Sequence, residues 1–416
     1  MSKPERARTR PQHATMDQFA VVDNCLQVGG RSLLEVAAQV GSTPFYAYDS
    51  ALMTTRVAEL RAALPAGIHL HYAMKANPMP AVVQHMAGIT DGLDVASAGE
   101  LATALATGID PRDISFAGPG KSSADLQAAV ASGVIINMES EGEMLRIAAL
   151  ATAGGTRPRV AIRVNPDFEL KTSGMKMGGG PRPFGVDAER VPAMLAQMAT
   201  LPLDFMGFHI FSGSQNLRAE AIIEAQSKTF ELAFRLAESA PAPLSWLNIG
   251  GGLGIPYFPG EQRIELTAIA ANLESLLAAA KARLGDAEIV MELGRYLVAE
   301  AGIYVCEVVD KKISRGETFL ITNGGLHHHL AASGNFGQVI RKNYPVCIGN
   351  RVAAPELETV SIVGPLCTPL DILADKMDLP AADAGDLVVV FQSGAYGFSA
   401  SPRDFLGHPH PREILL

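Results

Sequence analysis

IHLHYAMKANP, residues 68–78, alternates like a strand and then ends on a lysine followed at once by Ala-Asn-Pro. Counting by twos puts Ile68, Leu70, Tyr72 and Met74 on one face, and His69, His71, Ala73 and Lys75 on the other. Alone, a lysine ending a strand is a solvated surface group. The rest of the chain changes that reading. Further strand-like runs follow it: GLDVAS, DISFAG, GVIINM, RVAIRVN, FMGFHIF, SWLNIGG and AEIVMEL. Ala- and Leu-rich helical stretches separate them, among them PAVVQHMAGI, GEMLRIAAL and LTAIAANLESLLAAAKARL. Strands alternating with helices make parallel βα units, so the fold class is α/β. Eight units predict a closed (β/α)8 TIM-type barrel, with an open doubly wound sheet as the alternative.

After Arg295 the texture changes. GIYVCEVVDKKI, TFLITNGG, ETVSIVG and DLVVVFQSGAY are strand-like with no long helical pattern between them, which predicts a C-terminal mostly-β domain. The expected organisation is a disordered tail over 1–18, an N-terminal segment over 19–44 joining the β domain, a barrel over 45–298, and the β domain over 299–416. The basic, polar start MSKPERARTRPQHAT has no apolar run behind it and does not read as a signal peptide.

The chain has 416 residues, 48% of them hydrophobic and 19% charged, a composition that fits a well-packed enzyme. A net charge of -9 without a basic stripe argues against nucleic acid or an anionic membrane as partner. Small molecules fit better. The four cysteines, Cys25, Cys306, Cys347 and Cys367, form neither a CxxC pair nor zinc spacing, which suggests free thiols in a reducing, cytoplasmic setting. No apolar run is long enough to span a membrane.

In such a barrel the chemistry sits where strands end. Lys75 ends the first strand, Asp94 the second and Asn165 the fifth; Ser214 follows the sixth, Gly250-Gly251-Gly252 the seventh, and Glu292 with Arg295 the eighth. All converge on one rim. NIGGGLG lets backbone amides approach an anion closely, and Arg295 beside it suits phosphate oxygens. A phosphate site, a lysine and a carboxylate on one rim describe a pyridoxal 5'-phosphate site. The amine links to the cofactor's aldehyde, and the carboxylate keeps the pyridine nitrogen protonated.

These motifs resemble the fold-type III, group IV pyridoxal-phosphate decarboxylases, which include the ornithine, diaminopimelate and arginine decarboxylases and share an alanine racemase-like barrel. The likeness rests on YAMKANP (72–78), LDVASAGEL (93–101), SGSQ (212–215), NIGGGLG (248–254), ELGRYLV (292–298), GPLCTPLD (364–371) and GAYGFSASP (394–402), and runs from about residue 20 to the end. HIFSGSQNL and GGLHHHLAASGNFGQVIRKNYP are most similar to the subgroup called exosortase A system-associated pyridoxal-dependent decarboxylases. The resemblance implies that Lys75 carries the cofactor and Glu292 partners its ring nitrogen. Ser214, Gly252, Gly294, Arg295 and Tyr396 would contact its phosphate, with Gly250, Gly251 and Asp94 also at the cofactor. It further implies an obligate head-to-tail homodimer in which Cys367 enters the neighbouring site and protonates Cα after CO2 leaves.

Three departures bear on substrate. The ring-stacking histidine of the family aligns with Phe211, while His209 lies two residues earlier, so either could cover the ring. The acidic residue that receives a substrate's distal amine is replaced by Thr368, and an amine left unpaired on burial costs about 1–3 kcal/mol. No arginine in LHHHLAASG replaces the one diaminopimelate decarboxylases use for a distal carboxylate. The expected reaction is therefore decarboxylation of an amino acid or a carrier-linked aminoacyl group, not of a simple dibasic amino acid. Asp371 and His328 are expected at the substrate with Thr368. No metal site is expected, because adjacent His327, His328 and His329 would point to opposite faces of a strand. A racemase on the same fold is the alternative, disfavoured because those enzymes resemble a design with arginine at the ring nitrogen. A non-catalytic cofactor-binding regulator is another, disfavoured because Lys75, Glu292, Cys367 and the β domain are all kept.

Overall fold

The computed structural model describes residues 11–169, 175–176, 178–338 and 341–416. Its barrel strands are β1 (Ile68–Ala73), β2 (Gly92–Val95), β3 (Ile114–Phe116), β4 (Ile135–Met138), β5 (Arg159–Asn165), β6 (Asp204–Ile210), β7 (Trp246–Asn248) and β8 (Glu288–Leu293). All neighbours are parallel. β8 pairs with β1, and β5 pairs with both β4 and β6, so the ring closes and the open-sheet alternative falls.

Alternation along the strands builds two layers inside the ring. Ile135, Ala161, Trp246 and Val290 form an apolar plug, while their neighbours Ile136, Ile162, Leu247 and Met291 face the helices. Two residues further along each plug strand comes a polar one: Asn137, Arg163, Asn248 and Glu292. His71, Asp94, Ser115 and His209 complete a ring of one buried polar residue per strand. Burying each large apolar side chain contributes about 1.5–3 kcal/mol, whereas a buried polar group costs stability unless it finds a partner. The upper layer is therefore held in part by bonds within it, such as Ser115 to Asp94 and Asn137 to Ser115.

The β domain consists of β9 (Gly302–Ser314), β10 (Glu317–Thr322), β11 (Val346–Ile348), β12 (Leu357–Val363), β13 (Ile372–Pro380), β14 (Leu387–Val390) and β15 (Arg412–Leu415). The strand Phe45–Tyr48, expected to open the barrel, instead joins this sheet, antiparallel to β9 and parallel to β15. Its two faces explain why. Tyr46 and Tyr48 pack into the main core, whereas Phe45 and Ala47 pack into a second one with Leu33, Val36, Ile303, Val305 and Val389. That second core also seats the helix Leu33–Val40, which a capping box at Ser32 and Glu35 starts and Gly41 ends.

The expected disordered tail is a second correction. Residues 1–10 lie outside the described residues, but 11–18 are bonded to both domains. Gly260 donates to Gln12 O at 2.8 Å, and His13 Nε2 lies 2.8 Å from Asn343 O. Arg263 reaches Asp17 Oδ1 at 3.2 Å and Gln18 Oε1 at 3.2 Å. Among the described residues no helix is long and apolar enough to cross a membrane.

Candidate active site

β1 stops at Ala73, and Lys75 lies on the 3-10 turn Met74–Ala76 rather than on the strand itself. Asn77 and Pro78 make that turn. The residue before a proline is pushed toward extended geometry, and Asn77 has φ -151° and ψ 99°. Tyr72 Oη donates to Asn77 O at 2.9 Å, Asn77 Nδ2 donates to Gly394 O at 3.1 Å, and Tyr396 N donates to Ala76 O at 2.8 Å. The Lys-Ala-Asn-Pro sequence thus docks the β domain's 394–396 loop against the lysine and turns its side chain to the barrel mouth.

There Lys75 Nζ lies 3.4 Å from Glu292 Oε1; the lysine side chain is 47% exposed and the glutamate side chain 8%. Glu292's charge raises the Lys75 ammonium above its usual value, against the desolvation that would lower it. Burial alone would push the Glu292 carboxyl up, but Lys75 and His209 outweigh it and hold the group well below the carboxylate range. His209 Nε2 is 3.2 Å from Glu292 Oε2. The two ring-covering candidates separate here: His209 is buried beside Glu292, while Phe211 is half-buried at the rim against Gly250.

The glycine run forms a cradle that side chains would fill. A Cβ on Gly250 (φ +67°) would meet Phe211 Cδ2 at 2.5 Å, and one on Gly252 (φ +82°) would meet Gly213 O at 2.7 Å. A Cβ on Gly251 would collide with Glu292 O, and one on Gly294 would lie 2.9 Å from Ala73 O. The segment after Ser214 reaches the cradle: Asn216, two residues on, donates from its backbone to Gly252 O at 2.9 Å. Arg295 follows Gly294, with its guanidinium 4.5 Å from the Tyr396 ring centroid.

The polar ring contributes residues that sequence reasoning missed: His71, Ser115, Asn137, Arg163 and Asn248. Ser115 Oγ donates to Asp94 Oδ1, Asn137 Nδ2 donates to Ser115 Oγ at 3.2 Å, and His71 Nδ1 lies 3.5 Å from Asp94 Oδ1. Arg163 donates to Glu139 Oε1 at 2.7 Å. The signal was a polar residue on the inward register of every strand. Among the described residues, buried polar atoms lacking a hydrogen bond cluster here too, on Asp94 Oδ2, His209 Nδ1 and Asn248 Nδ2. Together with the cradle and the Lys75–Glu292 pair, they fit a ligand with an aldehyde, a heteroaromatic ring and a phosphate. In contrast, Ser97 and Glu100 of the LDVASAGEL motif cap the helix Ala98–Ala106: Glu100 N donates to Ser97 Oγ at 3.1 Å and Ala96 N to Glu100 Oε2 at 2.7 Å.

Two expected substrate residues are corrected. Asp371 is 2% exposed and accepts the backbone N–H groups of Leu326 at 2.6 Å and Leu366 at 2.8 Å, so it shapes the 364–371 turn. His328 is 1% exposed, with Nδ1 3.2 Å from Tyr304 Oη and Nε2 3.0 Å from Pro409 O, so it belongs to the β domain interior. Cys367 is exposed on the same turn and Thr368 is half-buried there. Among the described residues no hydrogen bond or ion pair joins that turn to Lys75.

Comparison with known proteins agrees with this geometry. Residues 51–299 match the family described as pyridoxal-dependent decarboxylase, pyridoxal binding domain. The chain is 40% identical to L-glutamyl-[BtrI acyl-carrier protein] decarboxylase of Niallia circulans, over 90% of this chain and 88% of that one. It is 32% identical to 2-[(L-alanin-3-ylcarbamoyl)methyl]-2-hydroxybutanedioate decarboxylase of Staphylococcus aureus, over 92% and 96% of the two chains. The structure of Helicobacter pylori diaminopimelate decarboxylase complexed with L-lysine superposes with a TM-score of 0.81 at 28% identity, covering 92% of this chain and 94% of that one. Fold, site and kinship converge: the chain belongs to the pyridoxal-dependent decarboxylases, a carboxy-lyase family whose cofactor is pyridoxal 5'-phosphate.

Proposed function

We propose that this decarboxylase removes the α-carboxylate of an amino acid whose far end is not a free ammonium, with a carrier-linked aminoacyl group as the preferred class. The observation that carries the site is the Lys75–Glu292 pair, 3.4 Å apart beside the glycine cradle. Lys75 would hold the cofactor's aldehyde carbon and Glu292 its ring nitrogen. Gly250, Gly251, Gly252, Ser214, Gly294, Arg295 and Tyr396 would hold its phosphate, with Asp94 and His209 lining the ring's surroundings. When bound, pyridoxal phosphate supplies an electron sink for the pair left on Cα as CO2 departs.

The chain's own residues do the rest. Lys75 and, after it, His209 keep Glu292 ionised, so that the carboxylate can hold a proton on a ring nitrogen; each unit of pKa so gained is about 1.4 kcal/mol. Phe211, at the rim, excludes water from the cradle side. Cys367 on its exposed turn returns a proton to Cα in the site of a second copy, which makes the homodimer the working unit. Its exposure suits that role, while the other cysteines are less suited: burial pushes the Cys306 thiol up to about 12.

Thr368 supports the substrate reading. It offers a hydroxyl where a dibasic substrate needs a carboxylate. The relatives from Niallia circulans and Staphylococcus aureus, named for a carrier-linked glutamyl group and a hydroxybutanedioate conjugate, point the same way. The exosortase A system-associated subgroup is the proposed kin within the family, and the free cysteine thiols support a cytoplasmic location. The test is CO2 release from cofactor-loaded protein across diaminopimelate, ornithine, lysine, arginine, glutamate and carrier-linked aminoacyl groups. Turnover of the carrier-linked or acidic members is expected. Preferred turnover of a dibasic amino acid would refute the specificity reading.

A further inference from the structure

A guanidinium on a flexible side chain binds an anion best when it is aimed before the anion arrives. Arg295 starts a helix of four residues, Arg295–Val298, too short to fix it. What aims it is Tyr257. Arg295 Nη1 donates to Tyr257 Oη at 2.9 Å, and the guanidinium carbon lies 5.4 Å from the Tyr257 ring centroid and 4.5 Å from that of Tyr396. The remaining Arg295 donors carry no other hydrogen bond among the described residues.

Tyr257 is itself clamped. It is buried, and its ring centroid lies 4.6 Å from that of Tyr344 in the β domain. Pro256 O accepts from Gln392 Nε2 at 3.0 Å, and Ile255 O accepts from Gln215 Nε2 at 2.6 Å. Gln215 adjoins Ser214, and Gln392 precedes Tyr396 in the same loop. The bond from Gly260 N to Gln12 O, 2.8 Å, closes the far end of the segment.

We propose that Tyr257 is a positioning residue that orients Arg295 toward the cofactor's phosphate, with its own place set by Tyr344 and Gln392 of the β domain. This rests on reading the cradle and Arg295 as the phosphate site. Phosphate affinity in the barrel thereby depends on contacts made by the other domain.

The experiment titrates full-length apoprotein with pyridoxal phosphate and with pyridoxal, which lacks the phosphate, for wild type, Tyr257→Phe, Arg295→Gln and the double variant. Losing one hydrogen bond to a charged group predicts a drop of roughly tenfold in pyridoxal phosphate affinity for Tyr257→Phe. Pyridoxal affinity stays unchanged, and the double variant binds no worse than Arg295→Gln. Equal losses for both ligands would mean a merely structural role and overturn the inference, as would additive losses in the double variant. If Arg295→Gln weakens pyridoxal phosphate and Tyr257→Phe does not, the inference alone fails. If Arg295→Gln has no effect, the phosphate reading falls and takes the inference with it.

Discussion

Glu292 illustrates how a single side chain is tuned by its neighbours. Burial opposes its charge, yet Lys75 and His209 hold it ionised. Glu292→Gln keeps the shape and removes the charge, so cofactor still binds while kcat falls roughly a hundredfold, the size of a loss of one to three pKa units of ring-nitrogen stabilisation. Steady-state kinetics alongside cofactor absorbance separates the two effects. That Lys75 and Glu292 meet was legible in the sequence, because each lies near the C-terminal end of a strand, Lys75 on the turn just past one, and such ends meet on one rim. Asp371 and His328 were misread for the opposite reason: residue type does not say whether a polar side chain's hydrogen bonds go to a ligand or to backbone several strands away.

Among the elements, the loop after β3 and the helix Glu141–Gly154 after β4 share a buried ion pair. Lys121 Nζ lies 2.7 Å from Glu143 Oε1, both side chains 1% exposed, and also donates to Gly118 O at 2.8 Å and Asn137 O at 2.7 Å. Lys121→Ala leaves a buried carboxylate unpaired and is expected to cost about 3–5 kcal/mol, measurable by urea unfolding. The His327–His329 run makes the β domain acid-sensitive. Burial pushes His327 down to about 4 and His328 and His329 to about 3, from 6.5. Between those values the unfolded chain binds more protons than the folded one. Stability is therefore fully present above pH 6.5 and falls as pH drops toward 4. Among the described residues His327 has no hydrogen bond on either ring nitrogen, so His327→Leu should make the decline shallower without loss at pH 7. Urea midpoints across that range check both expectations.

At the scale of the whole molecule, two domains meet at the candidate site: the barrel supplies Lys75 and Glu292, and the β domain docks Tyr396 beside them. The proposed homodimer, with Cys367 serving the neighbouring copy's site, predicts that mixing Lys75→Ala with Cys367→Ala protein restores part of the activity through hybrid dimers; no recovery despite verified subunit exchange would count against it. The barrel's strand order was readable because each strand announces itself by alternation. The strand Phe45–Tyr48 was not, since its apolar residues on both faces suit either sheet. Residues 11–18 were not, because Arg263 and Asn343, which hold them, lie hundreds of positions away. The central claim is that Lys75 carries the cofactor at the barrel mouth. The most direct test is borohydride reduction of the cofactor-loaded protein, followed by peptide mass mapping. The pyridoxyl mass should sit on the peptide containing Lys75 and vanish in Lys75→Ala, whereas label on another lysine, or none, would contradict the assignment.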